Sequence, residues 1–189
     1  MKKKKWMLAG IAAVALFVSA CGTSTKEDAN SSEGGDLLKS VQDAGVLKVG
    51  VMGTYQPYNF LNEDKEMDGF DVDIAKEIAK GLDVDVDFIS QEFSGMIAGL
   101  QTGKFDMVAS QMTITDDRKK EMLFSDPYIT NQVKVIVTED NDEITSVEDF
   151  PGKDIGVGLG TVVETYLRNE LMTEVGVFNN RTYDDVITS

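Results

Sequence analysis

The sequence contains no histidine and one cysteine, Cys21. A zinc site or a Cys-His nucleophile therefore has no material, and neither metal nor cofactor is expected. Basic residues are scarce: 18 Lys and Arg stand against 33 Asp and Glu, a net charge of −15. Nothing in that balance would hold a phosphate backbone, which argues against nucleic acid as a partner. An apolar run at residues 6–20 has 15 members, short of the ~20 that a membrane-crossing helix wants.

What is present at the start of the chain fixes a compartment. Lys2 to Lys5 precede the apolar run, and Val18-Ser19-Ala20 closes it with small residues. That order is the pattern of an export signal over residues 1–20. Cys21 follows at once, and Val18-Ser19-Ala20-Cys21-Gly22 resembles the lipobox of bacterial lipoproteins. The resemblance implies that Cys21 is lipidated and becomes the first residue of a protein anchored on the extracytoplasmic face of the cell membrane. A free thiol there would instead be an oxidation liability. Loss of the four signal lysines takes the net charge from −15 to −19, so the anchor must be acyl chains rather than attraction to anionic lipid.

Residues 21–35 contain almost no large apolar side chain and read as a tether. Beyond them the pattern alternates in the α/β manner. Asp36 can cap a short helix through residue 44, and residues 46–51 form an apolar strand. Asp71 can cap a helix over 72–82, whose apolar stripe is Val72, Ile74, Ala75, Ile78, Ala79 and Leu82. Residues 84–89 alternate as a half-buried strand, 93–101 form a helix, and 105–109 and 132–138 form strands. A second unit then opens with a short helix at 146–150, a strand at 154–157, a helix at 162–172 and a strand at 175–178. A helical pattern begins at Tyr183. The spacing thus predicts one unit over 36–132 and another over 133–189, entered by a hinge strand.

Thr115 is a good N-cap, and Asp116 and Asp117 suit the positive end of the helix it would begin. Arg118 does not suit that end, and its presence in the first turn calls for a reason. Two other motifs are decoys. Residues 64–69 look like the start of a calcium loop, but the twelfth position, which needs a bidentate Glu, is Ala75. Residues 156–161 read GxGxGT, which puts Thr161 where a dinucleotide loop needs its third glycine. The geometry is still of use, because small residues before a helix leave N–H groups for an anion.

The stretches GFDVDIAKEIA (69–79), FSGMIAGLQTGKFDMVASQMTITDDRKK (93–120) and FSDPYI (124–129) resemble the polar amino-acid solute-binding proteins of bacterial ABC importers, family 3. The resemblance implies a two-lobed periplasmic-binding-protein-like fold that closes on one free amino acid and delivers it to a membrane permease. It places the arginine that grips the ligand α-carboxylate at Arg118, where a planar, permanently charged fork suits an anion. It places Thr113 on the same carboxylate through N–H and hydroxyl, and Ser110 and Gln111 where backbone groups meet the ligand ammonium and side chain. Tyr55 and Phe93 fall where rings sandwich the ligand side chain; packing alone is the other account of both. Thr161 matches the second-lobe residue that closes on the carboxylate.

Met52 stands where some members place an aspartate, and with the Ser-Gln-Met run it favours cystine or another polar ligand over glutamine. The second-lobe aspartate for the ligand ammonium, and the segments that complete the first lobe, would lie beyond residue 189, leaving the second lobe truncated. Residues 22–189 alone are then expected to be marginally stable and to bind amino acids with Kd above ~1 mM. A dehydratase-like or cell-wall-lytic enzyme, or a receptor's sensor domain, would share the fold. An enzyme would want a tuned acid in the cleft, and the residues around Arg118 are threonines and aromatics.

Overall fold

The computed structural model describes residues 33–184. The export signal, Cys21 and most of the tether lie outside the described residues, as do residues 185–189. Helix α1, Glu33–Ala44, takes in the last three residues assigned to the tether; helix ends extend or fray by about a turn beyond what capping alone indicates.

A parallel sheet, ordered β5-β1-β6, is built from β1 (Val46–Val51), β5 (Asp85–Ser90) and β6 (Met107–Val108). Strand β1 is central, which is why its run VLKVGV is apolar apart from Lys48, the one exposed residue in it. Strand β5 is an edge and alternates. The expected strand at 105–109 shrinks to two paired residues, because Phe105 turns inward. Its ring lies 2.8 Å from the position a Cβ would take on Gly50 and 2.5 Å from that on Gly99. Both neighbours must therefore be glycine for this ring to stay buried.

Three short strands, β2 (Thr54–Tyr55), β3 (Asn59–Leu61) and β4 (Met67–Asp68), form an antiparallel ribbon leading into α2 (Phe70–Gly81). Helix α2 buries Asp71, Val72, Ala75 and Ala79. Ala75 and Ala79 join Val41, Leu47, Val49, Val51 and Ala109 in the first core. The N-cap is Gly69 rather than Asp71: at φ 119° the chain turns into the helix, and Asp71, already inside it, makes no capping bond. The run at 93–101 is a 3-10 turn, Phe93–Gly95, followed by α3, Met96–Gln101.

Residues 132–138, expected to form the hinge strand, are irregular. A strand exists by its ladder, and no described strand runs beside this segment. Val133, Val135 and Val137 are all exposed, with Ile136 exposed to 93%, so this β-branched run has no covered face.

A second core lies beyond it. Strand β7 (Asp154–Gly158) pairs in parallel with β8 (Asn179–Tyr183). The expected strand at 175–178 thus gives way to one that starts four residues later, at Asn179: α5 (Met172–Val175) holds Val175, and Gly176 at φ 110° ends that helix. Phe178 is spent on the core, edge-on to Phe150 with ring centroids 5.5 Å apart. Val157, Leu167 and Leu171 complete the cluster. The helix at 162–172 is α4 (Val162–Tyr166) run into α5 through a π-turn at Leu167–Leu171. Residues 146–150 hold one 3-10 turn, Val147–Asp149, closed by a Ser146–Asp149 capping box. Tyr183 ends β8 instead of starting a helix.

Candidate functional site

Strand β6 delivers the chain to Ser110, 1% exposed, whose hydroxyl accepts the Met52 N–H at 3.2 Å. Gln111 follows at φ 53°, a left-handed conformation rare for a residue with a side chain. From there the chain reaches Thr115, whose hydroxyl accepts the Arg118 N–H at 3.2 Å. Thr115 thus bonds as a cap would, but the helix is one 3-10 turn, Arg118–Lys120, whose N-cap is Asp117 with no side-chain cap bond.

Arg118 folds back from this turn and is 9% exposed. One terminal nitrogen donates to the Thr113 carbonyl and the other to the Gly160 carbonyl, each at 2.9 Å. The guanidinium carbon stands 5.6 Å from the centre of the Phe93 ring, within reach of a cation–π attraction. Burial lowers the guanidinium pKa from its ordinary value, yet the group stays charged at any working pH. Asp116 and Asp117, the nearest carboxylates in sequence, go elsewhere: they pair with Lys119 at 3.2 Å and Lys120 at 2.6 Å. Among the described residues no carboxylate lies within 4.0 Å of Arg118. A desolvated cation bonded to two carbonyls has donors left over from the five of its fork.

Thr113 lends its carbonyl to Arg118, and its hydroxyl makes no bond within the described residues. Thr161 has both hydroxyl functions engaged: it donates to the Gly158 carbonyl at 2.8 Å and caps α4 by accepting the Glu164 N–H at 3.2 Å. The Gly160 N–H, one of the amides expected to await an anion, donates to the Glu164 carboxylate at 2.8 Å. Gly160 sits at φ 75°, where an added Cβ would meet the Ser94 Cα at 3.2 Å. So the turn before α4 and the turn holding Phe93 are in direct contact beside Arg118.

Tyr55, half-buried on β2, lies 5.1 Å from the Tyr58 ring at 49°. Burial raises its hydroxyl pKa, with smaller contributions from Tyr58 and Asp71. The structure thus brings Arg118, Thr113, Phe93 and the Gly160–Thr161 turn together, and places Ser110 and Gln111 next along the same chain. Sequence reasoning missed a second set of residues. Asp71, 0% exposed, accepts from Asn59 at 2.8 Å, Gln111 at 2.6 Å and Tyr128 at 2.9 Å. Its spacing held the signal: Asp71, Ala75 and Ala79 recur every four residues, on the buried face of α2.

A family model for bacterial extracellular solute-binding proteins, family 3, matches residues 47–185. The chain is 40% identical over 179 residues to the L-cystine-binding protein TcyJ of Escherichia coli, covering 94% of this chain and 63% of that one. It is 35% identical to the putative amino-acid ABC transporter-binding protein PatH of Vibrio harveyi, covering 96% and 64%. The chain therefore spans somewhat under two thirds of the length of these relatives. Among solved structures, an ancestral arginine-binding protein bound to arginine aligns with TM-score 0.71 at 40% identity, over 76% of this chain and 63% of that one. An ancestral amino acid-binding protein, a precursor of cyclohexadienyl dehydratase, aligns with TM-score 0.73 at 39% identity, over 80% and 66%.

Proposed function

Because the chain belongs to the bacterial extracellular solute-binding proteins of family 3, we propose that it captures a free polar amino acid for an ABC importer and passes it to the membrane permease. The observation that carries this reading is Arg118: a buried cation with spare donors and no carboxylate partner among the described residues. An α-carboxylate supplies the missing charge, and a planar fork takes it in two parallel bonds. Phe93 on one side and Tyr55 on the ribbon give the ligand side chain aromatic surface; Thr113 offers a hydroxyl. Ser110 and Gln111 act through their backbones, since their side chains are engaged elsewhere. Thr161 acts as the cap that shapes the second turn rather than through its hydroxyl.

The two lobes in this reading are residues 36–132 and 133–189, and the protein is held to the membrane by lipid on Cys21. Cystine is our preferred ligand, supported by Met52 and by the name of the cystine-binding relative. An enzyme on this fold would need an acid able to exchange protons in the cleft, and Asp71 has both oxygens held by donors away from solvent.

Calorimetry with L-cystine and L-arginine, in a chain extended to its relatives' length, tests the reading. Arg118→Ala is expected to weaken binding by ~2–5 kcal/mol, the range for removing one partner of a desolvated ion pair. A loss below ~1 kcal/mol would mean that Arg118 serves the fold through its two carbonyls and not the ligand.

A further inference from the structure

Gln111 carries two oddities at once. Its backbone is left-handed at φ 53°, and its side chain is held at both ends. The amide nitrogen donates to Asp71 at 2.6 Å. The amide oxygen accepts from the Asn131 side chain at 2.8 Å, and the Asn131 oxygen accepts from the Tyr58 hydroxyl at 3.2 Å. Asn131 stands at the threshold of the irregular segment that leads to the second core.

The direction of this chain of bonds is fixed by one charge. An ionised carboxylate can only accept, so Gln111 must turn its NH2 to Asp71. The Gln111 oxygen then faces Asn131, which must answer with its own NH2, and the Asn131 oxygen is left for the Tyr58 hydroxyl. At the other oxygen, Asn59 is oriented in the same way: its NH2 goes to Asp71 and its oxygen takes the Gly53 N–H at 3.0 Å. With a neutral amide in place of Asp71, an NH2 must face either the Gln111 and Tyr128 donors or the Asn59 donor, so one side of the network loses its acceptor.

We propose that Asp71 is a positioning residue, whose buried carboxylate orients the Gln111–Asn131 amide relay and so locks the end of β6 to the start of the crossover. Tyr128, which donates to the same carboxylate oxygen as Gln111, is the second tie between that crossover and α2. The strand end that carries Ser110 and Gln111 and the segment 128–131 then move as one body with the first sheet. The bearing on ligand capture rests on the function proposed above; the relay itself is a property of the unliganded chain.

The test is amide NMR on the ligand-free chain with Asp71→Asn, a change that keeps shape and removes charge. The side-chain NH2 signals of Gln111 and of Asn131 are expected to shift. Backbone order parameters at 110–112 and 129–131 are expected to fall, with those of β1 unchanged. Asn131 does not touch residue 71, so a merely local packing effect would leave its signals in place. Unmoved Asn131 signals, or unchanged order parameters at 129–131, would overturn the proposal. Should Asp71→Asn not fold, Tyr128→Phe keeps the ring, 6.0 Å from Phe70, and removes one donor from the same oxygen. It should lower order parameters at 129–131 in the same direction, and no change there would overturn the proposal equally. Because no ligand is present, a null result for Arg118→Ala in calorimetry leaves this outcome readable on its own.

Discussion

Arg118 breaks a local rule, since the first turn of a helix disfavours a cation, and tertiary contacts resolve the conflict. The guanidinium leaves the turn for the carbonyls of Thr113 and Gly160, 5 residues away and 42 away in sequence. Tyr128 shows the reverse case, a side chain whose ionisation the fold opposes. Burial first, and then the Asp71 carboxylate, raise its hydroxyl well above the ordinary 10.0. A folded-state pKa above the unfolded one means stability that is whole below pH 10 and is lost as pH rises beyond it. Thermal melts should therefore fall more steeply above about pH 10 in the wild type than in Tyr128→Phe. Part of the slope should remain in that variant, because Tyr55 is raised as well. Equal slopes in the two proteins would mean that Tyr128 is free to ionise.

At the scale of elements, periodicity was a good guide wherever a face is covered and a poor one elsewhere. Helix α2 was legible because Val72, Ala75 and Ala79 meet a sheet. Residues 132–138 are as apolar and β-branched as a strand, but no described strand pairs with them, so the pattern builds nothing. Caps divide in the same way. Thr161 is the cap its type suggests, and Thr161→Ala should cost ~0.5–2 kcal/mol of stability, read from denaturant midpoints. Asp71 looked like a cap and is a buried acceptor, because Gly69 makes the turn. At φ 119°, a Cβ on Gly69 would meet the Tyr58 carbonyl oxygen at 2.5 Å. Gly69→Ala should thus destabilise by about 1–3 kcal/mol in the same assay, and a neutral result would show that the ribbon gives way. The site was legible where one residue was out of place, as Arg118 was. It was hidden where a polar residue sat at an apolar period, as Asp71 did.

For the whole molecule, charge decides how the proposed anchor can work. Without Lys2 to Lys5 the chain carries −19, and an anionic leaflet would repel it rather than hold it. Among the described residues no helix is long and apolar enough to cross a membrane. Attachment in the proposed reading falls to acyl chains on Cys21, whose hold comes from buried methylene groups and does not depend on salt. Two treatments separate the possibilities. Washing membranes with 1 M salt, where the Debye length is about 3 Å, should leave the wild type in the pellet. Cys21→Ser should move the protein to the soluble fraction or stop its processing, whatever the salt. Release of the wild type by salt would point to a charged partner as the tether. Unchanged fractionation of Cys21→Ser, with no lipid on the N-terminal peptide by mass spectrometry, would rule the lipid anchor out.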